Sequence, residues 1–187
     1  MNRIEIKFTE IDVAEVAMPF FPVLFKYTAR YFGMKITKSF IDNVLREKVI
    51  PVQGSVVYCK LAVEIEHSGI YIGNNKIVHL DGCGEIKAVS PKQFLKRLDG
   101  LNPAITIYVS CNGVKPAGKK DVAERAKKMI GKKIDYGVTR NNCHRFTSGC
   151  LTGNFNNNDQ FFFKLEKRVK EVLNSNNWRA WKREKKE

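Results

Sequence analysis

The 187-residue chain is long enough to bury one full core, and 43% hydrophobic against 28% charged residues excludes an intrinsically disordered protein. Its 33 Lys and Arg against 19 Asp and Glu leave a net charge of +14, an excess that attracts polyanions such as anionic lipid headgroups or nucleic acid. Cys59, Cys83, Cys111, Cys143 and Cys150 are odd in number and form no C-x-x-C pair. That excludes a zinc ribbon or a disulfide framework and reads as reduced thiols in a cytoplasmic protein.

The first ten residues have neither the apolar core nor the cleavage site of a signal peptide. Residues 1–49 read as a partly helical extension. Pro22 opens a helix in which Val23, Tyr27 and Arg30 share a face, and a further stripe runs through Phe40, Val44 and Leu45. Such helices suit either a lipid interface or the cover of a sheet. The most apolar run, residues 16–25, holds two prolines and is shorter than the roughly 20 residues of a membrane-spanning helix.

From Pro51 the texture changes to short β runs. Residues 55–60, 64–72, 76–80 and 104–109 carry β-branched and aromatic side chains between Gly and Asn punctuation. Ser90-Pro91-Lys92-Gln93 is a capping box with proline at the first helical position, predicting a helix with Phe94, Leu95 and Leu98 inward. Asp121 opens another helix through Val122, Ala126, Met129 and Ile130, closed by Gly131. Asn154 to Gln160 is a polar linker, followed by Leu165, Val169, Val172 and Leu173 at helical spacing. Strands that precede most of the helices predict an α+β fold, an antiparallel sheet packed against helices. The chain divides into an extension (1–49), a catalytic domain (50–153), and a linker with a basic amphipathic C-terminal helix (154–187).

His67 and His79 bracket the stretch H-S-G-I-Y-I-G-N-N-K-I-V-H. Side chains alternate along a strand, so the turn between them decides whether the two rings share a face. A two-residue loop pairing Gly73 with Lys76 would separate them. A three-residue loop pairs Ile72 with Lys76 and Gly69 with His79. It puts His67, Gly69, Tyr71, Ile77, His79 and Asp81 on one face, and Ser68, Ile70, Ile72, Val78 and Leu80 on the other. The clean apolar second face favours this register, with Asn75 left-handed in the turn.

Asn141-Asn142-Cys143 reads as a cap and the first turn of a helix with Phe146, Cys150 and Leu151 inward and Gly153 beyond its end. A thiol there feels the positive end of the helix dipole, and Arg145 and a partly protonated His144 would favour the thiolate further. Backbone N–H groups in that turn can hold a developing oxyanion. The remaining cysteines read as small buried apolar residues. A metal site from His67, His79, Cys83, Cys143 or His144 matches no zinc spacing.

Together these segments resemble the lecithin–retinol acyltransferase-like family, which includes the HRAS-like suppressor phospholipid acyltransferases and is a permuted branch of the papain-like NlpC superfamily. The motifs that carry the likeness are Pro51-Val52-Gln53-Gly54-Ser55, His67-Ser68-Gly69-Ile70-Tyr71-Ile72-Gly73, His79 at the family's interval after His67, and Asn142-Cys143-His144-Arg145-Phe146. The resemblance implies a circularly permuted papain-like fold, with Cys143 as nucleophile, His67 as its general base and His79 orienting that imidazole. Tyr71, Asn142 and His144 stand in the same motifs as candidate support for substrate or oxyanion. Ser55 replaces the family's Asp, and His144-Arg145 replace Glu-His.

The resemblance implies a thiol acyltransferase or hydrolase that takes an acyl chain from a lipid donor and passes it to an amine, alcohol or water, with no cofactor. Trp178 and Trp181, one helical turn apart among Arg179, Lys182 and Arg183, would suit an anionic membrane surface in such a helix. Two other readings stay open: a peptidase or amidase with the same thiol chemistry, and a non-enzymatic basic module for RNA or a protein partner. No RNA-recognition motif occurs, so nucleic acid is the less favoured partner.

Overall fold

The computed structural model describes residues 47–60, 66–96, 106–135, 137 and 142–183. The helices expected within residues 1–46 lie outside these, as does Leu98. The described residues belong to one compact unit, Asp42–Glu187. Among them are seven strands and four helices. In chain order these are β1 (Val56–Lys60), β2 (Glu66–Gly73), β3 (Lys76–Leu80), β4 (Ile86–Val89), α1 (Pro91–Leu95), β5 (Tyr108–Asn112), β6 (Lys115–Pro116), α2 (Lys120–Lys127), α3 (Cys143–Thr152), α4 (Phe162–Leu173) and β7 (Asn177–Ala180). The class is α+β.

The strands form one sheet in the order β4-β3-β2-β1-β5-β6, antiparallel at every pairing, with β7 also on β5. Tyr108 and Val109 of β5 pair with β1 and also with Ala180 and Arg179, so β7 lies along the opposite edge of β5 from β1. Alternation then sorts the side chains into two cores. Val56, Ile70, Val78, Leu80 and Ile86 meet α2, α3 and α4 through Val122, Phe146, Leu165 and Val169. Val57, Cys59, Ile77 and Val109 face the other way and gather Phe94 of α1 and Trp181. Each buried aliphatic or aromatic side chain contributes about 1.5–3 kcal/mol by leaving water, so both faces of the central strands are anchored.

The β2–β3 hairpin combines the two turns weighed from the sequence. Gly73 pairs with Lys76, leaving Asn74 and Asn75 as a two-residue loop, and both asparagines are left-handed (φ 49° and 55°), as a primed turn requires. The register then shifts between Tyr71 and Gly73, so that Tyr71 faces Ile77 and Ile70 faces Val78. One extra residue on β2 is thus absorbed in a bulge, and the body of the hairpin keeps the pairing that puts both histidines on one face. Gly73, at φ 92°, takes the strained backbone of that bulge.

Two helices have the starts that their sequences predict, and a third starts one residue early, at Lys120. Ser90 caps α1, its Oγ accepting from the Gln93 N–H while Gln93 Oε1 accepts from the Ser90 N–H. Phe94 is buried by this start. Asn142 caps α3, which ends at left-handed Gly153 (φ 81°). The helix expected from Asp121 is α2, but it closes at Lys127 and Lys128–Gly131 continue as turn, leaving Ile130 43% exposed instead of inward. The strand expected at 104–109 is found at Tyr108–Asn112.

The largest correction concerns the C-terminus. The basic segment expected to extend as a helix forms strand β7, and Trp178 and Trp181 lie on and just after it. On a helix, residues three apart share a face; on a strand they point to opposite sides. Trp178 accordingly packs on the helix-bearing core, and Trp181 is buried in the other. The Trp178 indole donates to Glu166 Oε1 at 2.8 Å and meets Tyr58 edge-on, while Trp181 meets Tyr71 edge-on at 5.2 Å. Arg179 donates to the carbonyls of Gly113 and Glu47. Of the five residues assigned to membrane contact, Lys182 and Arg183 are exposed. No helix among the described residues is long and apolar enough to cross a membrane.

Trp181→Ala is expected to destabilise the fold by about 3–5 kcal/mol in urea denaturation, as a buried aromatic truncation does. A surface role for Trp181 would leave stability unchanged. A Cβ added at Gly69 would stand 2.8 Å from both the Val78 carbonyl oxygen and Ile77 Cγ2. Gly69→Ala should therefore cost about 1–3 kcal/mol by the same measurement, because backbone must move to admit the methyl.

Candidate active site

The bulged hairpin brings His67 and His79 into direct contact. His67 Nε2 lies 3.1 Å from His79 Nδ1, the rings stand edge to face at 87°, and both side chains are buried. Phe94 packs against both, its centroid 4.8 Å from His67 and 5.7 Å from His79. The capping box that starts α1 thus supplies the wall that holds the two imidazoles. Sequence reasoning placed Phe94 inward without connecting it to the histidines, which lie far from it along the chain.

Cys143 occupies the first helical position of α3, buried at 5% exposure. Its Sγ sits 4.0 Å from the carbonyl oxygen of Glu66, the residue before His67, and 3.9 Å from His144 Nδ1. The sulfur therefore meets β2 at the strand position that leads into His67. Asn142 holds this turn rigid. Its Oδ1 accepts from the His144 and Arg145 N–H groups at 3.1 Å each, and its amide donates to the Gln160 carbonyl at 2.7 Å. Two of the first-turn amides are thereby committed to the cap, and Cys143's own N–H is the amide nearest the sulfur.

His144 does not play the part expected of it. Its ring is buried, with Nδ1 2.9 Å from Ser68 Oγ and Phe162 packed at 5.5 Å, and burial pushes its pKa down from 6.5 to about 4. A neutral imidazole cannot supply the positive charge that the sequence reading placed beside the thiol. It belongs instead to a buried chain of hydrogen bonds. Thr147 Oγ1 donates to the Cys143 carbonyl at 2.8 Å and lies 3.0 Å from Ser68 Oγ. With the threonine proton used on that carbonyl, Ser68 donates to Thr147, and His144 donates from Nδ1 to Ser68. The chain ties the first turn of α3 to the centre of β2. Ser68 and Thr147 escaped sequence reasoning, although Ser68 is a buried polar residue on the strand face of Ile70 and Ile72 and Thr147 stands one turn after Cys143.

Arg145 also turns away from the thiol, donating from Nη2 to Asn156 Oδ1 in the loop after α3. Tyr71 lies four residues beyond His67 on β2, on the order of 13 Å along the strand. Its hydroxyl accepts from the Asn75 N–H and its ring packs on Trp181, so the structure does not bring it to the sulfur. Ser55 closes the turn before β1 by accepting from the Val52 N–H. Burial raises the pKa of Cys150 and pushes that of Cys111 up to about 11, which keeps both as thiols, and Cys59 is buried. Cys83, expected to be buried, is exposed in the loop between β3 and β4. No group of three or more His, Cys, Asp or Glu among the described residues is arranged to hold a metal ion.

The buried state of His144 sets a pH dependence. Between pH 6.5 and about 4 the unfolded imidazole binds a proton that the folded one refuses. Stability therefore falls as pH drops through that window, by about 3 kcal/mol if this group acts alone. His144→Gln should flatten the plot of unfolding free energy against pH between 6.5 and 4. An unchanged slope would show that the ring is charged or solvated in the native state.

The model of the family described as lecithin retinol acyltransferase matches residues 51–156, which contain both histidine strands and the first turn of α3. The chain is also 24% identical over 103 residues to the genome polyprotein of avian encephalomyelitis virus strain L2Z, and the same holds for strains Van Reokel and Calnek vaccine. Those 103 residues are 54% of this chain and 4% of each polyprotein, so the similarity reaches a small segment of a much longer relative. The family match extends over more than half of the sequence: the chain belongs to the lecithin retinol acyltransferase family.

Proposed function

We propose that the protein is a cysteine-dependent acyltransferase or hydrolase that forms an acyl thioester on Cys143, taking the acyl group from a phospholipid or a similar lipid ester. The observation that carries this reading is the 3.1 Å bond between His67 Nε2 and His79 Nδ1 in a buried pocket, with the Cys143 sulfur seated on the carbonyl of the preceding residue, Glu66. Membership of the lecithin retinol acyltransferase family supports the same chemistry.

The bond admits either tautomer, and the proposed reaction uses the one in which His67 is the donor. When His67 donates from Nε2 to His79 Nδ1, the lone pair of His67 is on Nδ1, the nitrogen that would take the thiol proton. His79 then orients the ring and stabilises the imidazolium, as the third member of a nucleophile–base–orienter set does. The positive end of the α3 dipole favours the thiolate over the thiol.

The reaction then proceeds in two halves. The Cys143 thiol gives its proton to His67 Nδ1, and the sulfur attacks the ester carbonyl. The Cys143 N–H stabilises the oxyanion, a contribution of about 2.7–4 kcal/mol per donor in comparable sites. The intermediate collapses, the ester C–O bond breaks, and His67 protonates the departing alcohol. Water, an amine or an alcohol next loses a proton to His67 and attacks the thioester, and the released sulfur recovers that proton. Donor and acceptor identity depends on the groups that line the entrance, and water as acceptor makes the same site a hydrolase.

Incubation with p-nitrophenyl octanoate followed by intact and peptide mass measurement tests this. An octanoyl adduct on the Cys143 peptide, removed by neutral hydroxylamine, is expected. His67→Ala should slow its formation by about 10²–10⁴-fold. Equal acylation of exposed Cys83, or a rate indifferent to His67, would sink the assignment.

A further inference from the structure

Phe161, Phe162 and Phe163 begin α4, and the helix sends them in different directions. Phe162 packs inward on Tyr58 at 4.6 Å and on His144 at 5.5 Å. Phe161 and Phe163 stand 51% and 65% in solvent, stacked on each other at 5.8 Å and 10°. Two aromatic rings held in water beside one another lose the transfer free energy that folding usually gains from them. Beside them lies an open depression of about 450 Å³ lined by Lys164, Lys167 and Arg168 against one carboxylate, Asp159. Asp159 is engaged with Arg168 and Ser148, and Arg168 pairs also with Glu171, so the charge left to the depression is that of Lys164 and Lys167. This surface adjoins the candidate site, because the Asn142 side chain that caps the helix of Cys143 donates to the carbonyl of Gln160, next to Phe161.

We propose that the Phe161–Phe163 pair and the basic depression beside it form a docking surface for an anionic phospholipid bilayer, setting the entrance at Cys143 against the lipid. The rings would enter the boundary between headgroups and acyl chains, and the lysines would meet lipid phosphates. Positive charge suits the phosphates of lipid and nucleic acid alike, so the ring geometry is what favours lipid. A base needs an open aromatic face to stack on. Here Phe161 is covered by Phe163 and by Lys164 Nζ 6.0 Å from its centroid, and Phe163 gives one of its faces to the same stack. The surface takes over the membrane contact that the sequence assigned to Trp178 and Trp181. It does not require the chemistry proposed for Cys143, although a lipid acyl donor would explain why the two adjoin.

Co-sedimentation with vesicles of phosphatidylcholine containing phosphatidylserine tests the assignment on the full chain. Wild type should pellet with these vesicles and weakly with phosphatidylcholine alone. Phe161→Ser with Phe163→Ser should lower the partition coefficient on the order of tenfold or more, and Lys164→Glu with Lys167→Glu should cost about fivefold per lysine. The phenylalanine variant should melt with wild type, since both rings are at the surface. The lysine variant should melt slightly lower, because Lys164 Nζ also donates to the Asn158 carbonyl, and its binding is compared at a temperature where both proteins are folded. Cys143→Ala should bind like wild type and lose turnover, so turnover retained by that variant, with vesicle binding intact, would tell against the chemistry alone. Vesicle binding that ignores both double variants, no vesicle binding at all, or a variant-sensitive affinity for single-stranded RNA in place of vesicles would each overturn the proposal.

Discussion

The site depends on a single extra residue in one strand. Strand side chains repeat every two positions, so the parity of the β2–β3 pairing decides whether His67 and His79 meet or stand on opposite faces of the sheet. The Asn74-Asn75 turn by itself would set the wrong parity. The bulge between Tyr71 and Gly73 restores the right one, and the same shift sends Ile70, Val78 and Leu80 into the helix-bearing core. The hydrophobic effect and the contact between imidazoles therefore select the same register. A slip would bury histidines under α3 and send Ile70, Val78 and Leu80 to the face of Phe94 and Trp181, which disfavours a competing hairpin.

A second constraint fixes the cysteine. The first turn of α3 is fastened to its surroundings by the Asn142 cap, by the Gln160 carbonyl and by the run from His144 through Ser68 and Thr147 to the Cys143 carbonyl. Most of these are buried polar groups that would be costly to leave unpaired, so the turn has one arrangement of low energy. His144 contributes to this as a neutral hydrogen-bonding ring. Its departure from the family's Glu at that position is thus absorbed structurally, in a pocket closed by Phe162.

The excess of positive charge acquires a place only in three dimensions. In the C-terminal segment the tryptophans are drawn into the two cores by strand β7, and Arg179 is tied to backbone carbonyls. The start of α4 instead leaves aromatic rings in solvent beside lysines, next to the cap of the cysteine helix. The C-terminal strand therefore serves the sheet, while the surface proposed for an anionic bilayer lies in a part of the chain that precedes it.

Local sequence determined a good deal of this protein. The capping box at Ser90, the Asn142 cap with Gly153 beyond, the strands around both histidines and the apolar stripe of α4 depend on near neighbours, and short-range rules read them. The family motifs likewise pointed to Cys143, His67 and His79 as candidates. Tertiary structure alone decided where Phe94, Ser68 and Thr147 stand relative to those residues, that His144 is buried and neutral, and that the Trp178 segment is a strand. Each of these is settled by what lies opposite in space. A period of three between tryptophans fits one helical face or two faces of a strand equally well, and only the open edge of β5, a distant part of the chain, chose between them.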